Sequence, residues 1–289
     1  MQTIAFVNGT FGPIEEAKVS VEDRGYQFGD GIYEVMFALG HQPFAVAEHL
    51  ARWERSYRAL RLTCPYGADE IEAIVRDALS RVDGDSHLVY LQLTRGVAPR
   101  LHAFPGPDVP PSFVLTVRPN PTSSRTDAAG VDAALIEDIR WSRCDIKAIT
   151  LLPAVLATQE AKEAGCAEAV LHRGDIVTEC ANANVFIVKD GRIITHPLTN
   201  AVLAGITRGH LLEIAREMGI PVDERPFTVA ELLDADEALS SSTGRRTRPL
   251  NHVDGHTIGA GTPGPVTNAL RDAYRTRIAQ YCGVPEDLV

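Results

Sequence analysis

The segment DIKAITLLPAVLATQEAKEAG, residues 145–165, places Lys147 at the edge of an apolar run of the kind that forms a core. Of the four lysines in the chain, Lys18, Lys162 and Lys189 lie in polar stretches that suit a solvated charge. An unpaired ammonium group is costly to bury. Lys147 is therefore the candidate for a lysine retained for its chemistry, as an amine nucleophile or Schiff-base lysine. The alternative is a loop lysine whose amine reaches solvent.

The same segment predicts a helix between Pro153 and Gly165, because proline is favoured in the first turn and glycine just after the last. Two hairpins follow at 168–180 and 184–196, the second turning at Asp190-Gly191. A further helix is predicted at 205–219. Before residue 145, the hydrophobic spacing predicts strands at 32–39, 87–96 and 111–119 and a helix at 47–60.

A chain of 289 residues exceeds the usual size of one core, so two domains are expected. The stretch RPNPTSSRTDAAG, residues 118–130, is rich in Pro, Ser and Thr and has no apolar period, which is typical of a linker. The prediction is a smaller N-terminal α/β domain at 1–119, a linker at 120–130 and a larger C-terminal domain at 131–289.

The net charge of −10 disfavours nucleic acid and anionic membranes as partners. There is no apolar stretch of membrane-spanning length and no signal-like N-terminus, so a cytoplasmic location is expected. The five cysteines are odd in number and include no CxxC pair, and the nine histidines show no HExxH spacing. We therefore expect neither a disulfide framework nor a metal site.

If Lys147 attaches pyridoxal phosphate, the cofactor also needs a phosphate cradle and a carboxylate opposite the pyridine nitrogen. Gly205, Ile206 and Thr207 open the predicted helix at 205–219, where backbone N–H groups and the helix dipole favour an anion. A plain N-cap without a ligand is the alternative.

Two further sites complete this set of cofactor contacts. The run SSSTG at 240–244, with Ser242 and Thr243, offers more hydroxyls for a phosphate, although such a loop is weak evidence alone. Glu179 ends a strand-like run and offers the carboxylate that would keep the pyridine nitrogen protonated. A surface glutamate at a strand end is the alternative interpretation of Glu179.

Six segments together closely resemble the fold-type IV pyridoxal-phosphate enzymes, specifically the D-amino acid transaminases. They are EDRGYQFGDGIYEV, EHLARW, TRGVAPRLHAFP, EDIRWSRCDIKAITLLPAVLATQEAKEAGC, VTECANANVF and LAGITR. The similarity runs from about Val7 to at least Gly255, in the same order as in that family. It implies an α/β (α+β) fold of two domains with the cofactor at their interface, and a homodimer.

The resemblance also implies roles for individual residues. Lys147 would be the Schiff-base lysine and the acid/base at the substrate Cα, Glu179 would pair with the pyridine nitrogen, and Leu203 would support the ring. Arg52 would bind the phosphate, although its spacing from Glu48 also allows a helix-surface ion pair. The phosphate ligands that the resemblance implies beside Arg52 are Ile206, Thr207 and Thr243, and the candidates Gly205 and Ser242 adjoin them in the sequence.

Tyr33, Arg100 and His102 resemble the family's trap for the substrate α-carboxylate, the last two supplied by the neighbouring subunit. An arginine can grip a carboxylate with two charge-assisted hydrogen bonds. The run Gly244-Arg245-Arg246-Thr247-Arg248 departs from the family pattern. It is interpreted either as a solvent-facing basic loop or as a place where Arg245 or Arg246 meets a substrate carboxylate.

The function that follows is a pyridoxal-phosphate-dependent transaminase. It would move the amino group of a D-amino acid to a 2-oxo acid, 2-oxoglutarate or pyruvate, by a ping-pong mechanism. The alternatives of the same fold are an (R)-selective amine transaminase, a branched-chain L-amino acid transaminase and an aminodeoxychorismate lyase. Outside catalysis, the chain could serve only to bind and buffer the cofactor, but such a carrier has no need of a carboxylate trap.

Overall fold

The computed structural model describes residues 2–120 and 129–289, and these divide into two compact units. The first unit contains the described residues up to Asn120, together with Ile146–Thr150 and Ala279–Val289. The second contains those from Ala129 to Asp145, together with Leu151–Ile278. The domain limits at 1–119 and 131–289 stay a prediction, and residues 121–128 of the predicted linker lie outside the described residues.

The first unit is an antiparallel sheet with helices packed on it. Its strands are β1 (Ile4–Val7), β2 (Thr10–Gly12), β3 (Gly31–Leu39), β4 (Gln42–Pro43), β5 (Ser86–Thr94) and β6 (Ser112–Pro119), and its helices are α1 (Arg24–Phe28), α2 (Val46–Ala59) and α3 (Ala68–Ser80). In the described residues the strand order is β2-β1-β6-β5-β3-β4, with every neighbouring pair antiparallel.

The core of the first unit lies between this sheet and the helices α2 and α3. Ile32 and Met36 of β3 are fully buried, and Leu50 and Trp53 project from α2 into the same cluster. Successive side chains of a strand point to opposite faces. Tyr33 and Glu34 therefore leave β3 on opposite sides, which decides their surroundings in the candidate site.

The second unit is a mixed sheet that also carries helices. Its strands are β7 (Val131–Glu137), β8 (Glu168–Arg173), β9 (Ile176–Cys180), β10 (Asn184–Lys189), β11 (Arg192–Thr195), β12 (Val222–Glu224), β13 (Phe227–Thr228), β14 (Glu237–Ser242), β15 (Arg246–Val253) and β16 (His256–Thr257). Its helices are α4 (Leu152–Glu163), α5 (Ile206–Glu217), α6 (Val229–Leu233) and α7 (Pro265–Cys282), whose last turn groups with the first unit. The order is β12-β11-β10-β14-β15-β7-β8-β9-β13, with β16 on β15.

The turn between β10 and β11 follows the sequence prediction. Asp190 and Gly191 have φ angles of 51° and 71°, the left-handed values that a two-residue hairpin loop requires. The strands and helices predicted from hydrophobic spacing are confirmed, with ends that differ by a few residues.

The prediction that the apolar run after Lys147 lies in a core is wrong for most of helix α4. The buried residues of α4 are its three alanines, Ala154, Ala157 and Ala161. Leu152 is 67% exposed, and Val155 and Leu156 are also exposed. The small side chains allow α4 to approach β7 and β8 closely, so the larger side chains point away from the chain's own core.

Across residues 2–120 and 129–289, no helix is both long and apolar enough to cross a membrane. No three His, Cys, Asp or Glu side chains of these residues are grouped in a way that could hold a metal ion.

Candidate active site

Lys147 is attached to the beginning of β3 by backbone hydrogen bonds. The Tyr33 N–H donates to the Lys147 carbonyl at 2.9 Å, and the Ile149 N–H donates to the Gly31 carbonyl at 3.1 Å. The Lys147 amine lies 4.2 Å from the centre of the Tyr33 ring. In the described part of the chain this amine forms no ion pair, so the aromatic face is the group that its charge meets.

Tyr33 rests on a second phenol ring. Its ring stacks on that of Tyr90 with centroids 5.8 Å apart, and the Tyr90 hydroxyl donates to Gln92 Oε1 at 2.7 Å. Burial, with the neighbouring Tyr33, raises the pKa of Tyr90 to about 12. Tyr90 therefore remains a neutral hydrogen-bond donor at physiological pH and brings no negative charge to the aromatic bed under Lys147.

On the opposite face of β3, Glu34 forms a buried ion pair with Arg52. Arg52 donates from Nε at 2.9 Å and from Nη2 at 2.6 Å, and His49 Nδ1 lies 3.0 Å from the same carboxylate. Burial alone would raise the pKa of Glu34, but the charges and hydrogen bonds of Arg52 and His49 hold it well below its usual range. Burial lowers the pKa of His49, which can still donate from Nδ1 when neutral. Arg52 is thus a buried group rather than a helix-surface arginine.

In the second unit, Glu179 is a buried carboxylate with polar partners on both oxygens. Arg140 Nη1 donates to Oε1, while Asn184 Nδ2 at 2.9 Å and the Leu203 N–H at 3.1 Å donate to Oε2. Burial raises the pKa of Glu179, and the Arg140 charge opposes that shift. The surface-glutamate interpretation of Glu179 is therefore wrong, because the residue is 4% exposed.

Arg140 is itself oriented by a second carboxylate. Asp138 accepts from Arg140 Nε at 2.8 Å and Nη2 at 2.9 Å, and it also accepts from Thr178 Oγ1 at 3.0 Å. Such a two-pronged contact fixes the plane of a guanidinium group. Arg140 therefore presents its remaining nitrogen to Glu179 in a defined direction.

Asn184 connects Glu179 to the predicted phosphate cradle. Besides Glu179, its amide donates to the Leu203 carbonyl at 2.9 Å. Its Oδ1 lies so close to Gly205 that an added Cβ would come within 2.0 Å. Because Asn184 is also the register partner of Ser241 on β14, Gly205 and the end of β14 lie on either side of it.

Gly205, Ile206 and Thr207 form the N-terminus of α5, as predicted. Gly205 is the N-cap, and among the described residues this position makes no side-chain capping hydrogen bond. Thr207 is buried, and its hydroxyl lies 3.4 Å from that of Tyr274. The first N–H groups of α5 are consequently available to an anion.

Ser242 and Thr243 lie where β14 turns into β15, and the three arginines beside them have different surroundings. Arg245 is exposed, and its N–H lies 3.4 Å from Ser242 Oγ. Arg246 is half-buried and has a φ angle of 59°. Arg248 is buried, lies 3.7 Å from Glu168 and donates to the Ala167 carbonyl at 2.9 Å. Arg248 is thus an internal ion-pair residue, which the basic-loop interpretation did not anticipate.

Arg100 and His102 are exposed on the loop between β5 and β6. Both lie against the ring of Phe28, the Arg100 guanidinium 5.0 Å and the His102 ring 5.4 Å from its centre. Tyr33, the third residue of the predicted trap, instead contacts Tyr90 and Lys147. Within residues 2–120 and 129–289, Arg100 forms no ion pair and its charge is available to an external anion.

Sequence reasoning missed several charged or polar residues of these clusters. Asp138 and Arg140 stand in the same quoted segment as Lys147, but only the lysine was singled out. Asn184 stands five residues after Glu179, a proximity that the strand–turn–strand pattern could have indicated. Glu34 and His49 carried no motif signal of their own.

Each of these clusters, taken within its own unit, matches one of the separate demands of a single cofactor. The first unit offers a lysine amine on an aromatic bed, and the second offers a buried carboxylate and a helix N-terminus with free N–H groups. Pyridoxal phosphate needs an amine to attach to, a carboxylate for its ring nitrogen and an anion cradle for its phosphate. The side chains present fit that group, which defines the class as a pyridoxal-phosphate enzyme.

Comparison with known proteins narrows the class. Residues 31–253 match the model of the family described as amino-transferase class IV. The chain therefore belongs to that family, and the predictions of a fold-type IV architecture, of an aminotransferase and of pyridoxal phosphate as cofactor are confirmed.

Individual relatives agree with this assignment. The chain is 43% identical over 276 residues to a D-alanine aminotransferase of Staphylococcus haemolyticus, covering 96% of this chain and 98% of the relative. It is 41% identical to a D-alanine aminotransferase of Listeria monocytogenes, covering 96% of both chains. Among solved structures, a branched-chain aminotransferase of Thermoproteus uzoniensis with norvaline matches with a TM-score of 0.87 at 26% identity, covering 99% of this chain and 96% of that one.

Proposed function

We propose that this protein transfers the amino group of a D-amino acid to a 2-oxo acid, 2-oxoglutarate or pyruvate, by a ping-pong mechanism. The observation that carries the proposal is the 43% identity, over 96% of the chain, to a D-alanine aminotransferase. The solved branched-chain aminotransferase is less similar, at 26%. A branched-chain L-amino acid transaminase and an aminodeoxychorismate lyase are accordingly not favoured.

Lys147 supplies the amine that would hold the cofactor and that moves the substrate proton. When bound, pyridoxal phosphate supplies an electron sink that stabilises negative charge at the substrate Cα. Lys147 Nζ would hold the cofactor until the substrate amine displaces it, and the freed amine would then move the proton between the substrate Cα and the cofactor C4′. The Tyr33 ring, stacked on that of Tyr90, lies against this amine.

The second unit binds and orients the cofactor in this proposal. Glu179 pairs with the pyridine nitrogen, held in place by Arg140 and Asn184. Leu203 supports the ring on the face away from the substrate. The phosphate ligands are Arg52, Gly205, Ile206, Thr207, Ser242 and Thr243. For Arg52, this role requires a guanidinium nitrogen beyond the two that Glu34 engages.

Tyr33, Arg100 and His102 bind the substrate α-carboxylate, and the carboxylate position decides which bond on Cα faces Lys147. Arg100 and His102 serve the active site of the neighbouring subunit in a homodimer. Their exposure supports this, since side chains on the surface of one chain are accessible to a second chain. Exposed apolar residues such as Leu152 of α4 and Leu101 of the same loop are also typical of a surface that another subunit covers.

Arg245 and Arg246 are the candidates for a second carboxylate contact, with the distal acid of D-glutamate or 2-oxoglutarate. The exposure of Arg245 at the turn beside Ser242 supports this role. An (R)-selective amine transaminase, which needs no carboxylate trap, is the remaining alternative. The expected cytoplasmic location stays a prediction.

The decisive experiment is a half-reaction without acceptor. The purified holoenzyme is mixed separately with D-alanine, D-glutamate, L-alanine and (R)-1-phenylethylamine, and the visible absorbance of the bound cofactor is followed. We expect conversion to the amine form of the cofactor with the two D-amino acids alone, and none in the Lys147→Ala variant.

The proposal would be contradicted if L-alanine or (R)-1-phenylethylamine converted the bound cofactor to its amine form in preference to the D-amino acids. An unchanged KM for D-glutamate in both Arg245→Ala and Arg246→Ala would remove the arginine turn from the substrate site. The Lys162→Ala variant, which changes a lysine on the surface of α4, is the matched control and should react as the wild type does.

A further inference from the structure

The loop between β5 and β6 is long and irregular, so contacts with other residues must hold its backbone in place. It carries Arg100 and His102, both exposed, and spans residues 95–111 without a strand or helix of its own. Long side chains on such a loop lose much conformational freedom when they bind a ligand. A binding loop of this kind works well only if other residues hold its backbone in place beforehand.

Arg24 holds this loop through hydrogen bonds from its guanidinium group to backbone carbonyls of the loop. Although Arg24 is charged, it is 3% exposed, and its Nη1 donates to the Leu101 carbonyl at 2.5 Å. Its Nη2 lies 3.4 Å from the His102 carbonyl. The guanidinium therefore contacts the backbone carbonyls before and after the His102 Cα, from which the His102 side chain projects.

Asp30 fixes Arg24 from the other side. The Asp30 carboxylate accepts from Arg24 Nε at 2.8 Å and from Arg95 Nε and Nη2 at 2.9 and 3.0 Å. Arg95 continues to the Leu60 and Arg61 carbonyls at the end of α2, at 2.9 and 3.0 Å. One carboxylate thus connects the beginning of β3, the loop and helix α2.

Phe28 contributes the surface on which the loop's charged side chains lie. The guanidinium groups of Arg24 and Arg100 lie 4.9 and 5.0 Å from the centre of its ring, and the His102 ring lies 5.4 Å away. Stacking on one ring gives Arg100 a defined orientation while its nitrogens stay free to donate.

The arginines around this loop differ in their counter-charges. Arg24 and Arg95 share the single carboxylate of Asp30, and Arg100 has no ion pair among the described residues. A guanidinium that has no ion pair, on a supported loop, favours a carboxylate ligand.

We infer that Arg24, Phe28 and Asp30 form a positioning platform, which preorganises Arg100 and His102 for the substrate α-carboxylate. The inference rests on the proposed function of Arg100 and His102. The three residues act through the loop and are positioning residues. Loss of the platform should weaken substrate binding more than it slows the subsequent proton transfer at Cα.

The test uses the holoenzymes of wild type, Arg24→Met, Phe28→Leu and Arg100→Met. For each, the half-reaction with D-alanine gives an apparent dissociation constant and a limiting rate. Propionate, a carboxylate without an amino group, is used as a competitor to measure carboxylate binding alone. Hydrogen exchange of residues 97–104 is followed in the absence of any substrate. Arg58→Met is the control, because Arg58 pairs with Glu54 on the surface of α2.

For Arg24→Met and Phe28→Leu we expect the dissociation constants of D-alanine and propionate to rise by about tenfold, since each loses contacts to a charged group. The limiting rate should change much less, and exchange in residues 97–104 should become faster. Arg24→Lys should recover part of the affinity, and Arg58→Met should match the wild type in all measurements.

If Arg100→Met loses affinity while Arg24→Met and Phe28→Leu both retain wild-type constants, the platform is refuted and the carboxylate trap stands. An equal fall in limiting rate and affinity, together with loss of the bound cofactor, would also refute it by showing a general structural defect. If Arg100→Met itself binds propionate as the wild type does, the proposed function of the trap fails instead.

Discussion

At the scale of the residue, Glu34 is the carboxylate around which the buried charges of the first unit are arranged. It is fully buried on β3, and both Arg52 and His49 of α2 turn inward to meet it. A buried pair of this kind adds little net stability compared with an apolar substitute, but removing one partner leaves a bare charge in the core. Glu34 therefore sets the position of Arg52, whichever further ligand Arg52 binds.

Replacing Glu34 with Gln should destabilise the apoprotein by about 3 kcal/mol at neutral pH, because the buried Arg52 loses the charge of the Glu34 carboxylate. The effect should depend on pH. The pKa of Glu34 is lowered in the folded protein, so its stabilisation is present above the ordinary value of 4.5 and fades as the pH falls below it. The difference in unfolding free energy between wild type and Glu34→Gln should therefore shrink from pH 7 to pH 4 and below.

Urea unfolding across this pH range measures the difference. Glu54→Gln is the matched control, since the Glu54–Arg58 pair is on the same helix but largely exposed, and it should unfold much as the wild type does. A constant difference between wild type and Glu34→Gln from neutral to acid pH would show that the ionisation of Glu34 is not the source of the stability.

Lys147 could be proposed from sequence as the Schiff-base lysine because a lone lysine beside an apolar run is conspicuous, and because the resemblance supplied its neighbours. The role of Glu34 could not be predicted from sequence, since its partners His49 and Arg52 are 15 and 18 residues away on another element. Arg140 reaches across 39 residues to Glu179, and this pairing exists only after β7 and β9 have folded into one sheet. Ion pairs that depend on tertiary structure leave no local pattern in a sequence.

At the scale of the element, the N-terminus of helix α5 packs closely against Asn184 of strand β10. This close packing is possible because Gly205 has no side chain. The φ and ψ angles of Gly205, −67° and 134°, are accessible to any residue, so its backbone does not require glycine. The requirement is space, because a Cβ would lie 2.0 Å from Asn184 Oδ1. Asn184 in turn holds Glu179 and the Leu203 carbonyl.

Gly205→Ala should therefore displace Asn184 and disturb both the helix N-terminus and Glu179. We expect the cofactor dissociation constant to rise by about tenfold, consistent with the cost of overpacking a tight contact. Gly209→Ala is the control, because an added Cβ there meets no atom within 4 Å and alanine favours a helix interior. Cofactor titration followed by fluorescence checks both variants. Equal affinities would show that Asn184 yields without consequence.

Helix α4 shows a limit of prediction at this scale. Its ends followed from Pro153 and Gly165, but the direction of its apolar face did not follow from hydrophobicity. The alanines face the sheet, and the leucines that seemed destined for a core are exposed on the single chain. A pattern of apolar residues indicates that a face is to be covered, without indicating whether the same chain covers it.

At the scale of the whole molecule, the proposed homodimer divides each active site between two chains. Lys147 belongs to one chain, while Arg100 and His102 of that chain would serve the other. Two variants with different defects should then complement each other. Lys147→Ala lacks the amine in its own site but still offers an intact loop, and Arg100→Met keeps its amine but offers a defective loop.

In a mixed dimer of these variants, one site has both defects and the other has neither. Random reassembly of equal amounts should therefore restore about one quarter of the wild-type activity with D-alanine, because half of the dimers are mixed and each has one intact site. The measurement is the rate after the two variants are unfolded and refolded together, with each variant refolded alone as the control. If Arg100 served the site of its own chain, every site in the mixture would keep a defect, and the rate would stay at the level of the separate variants.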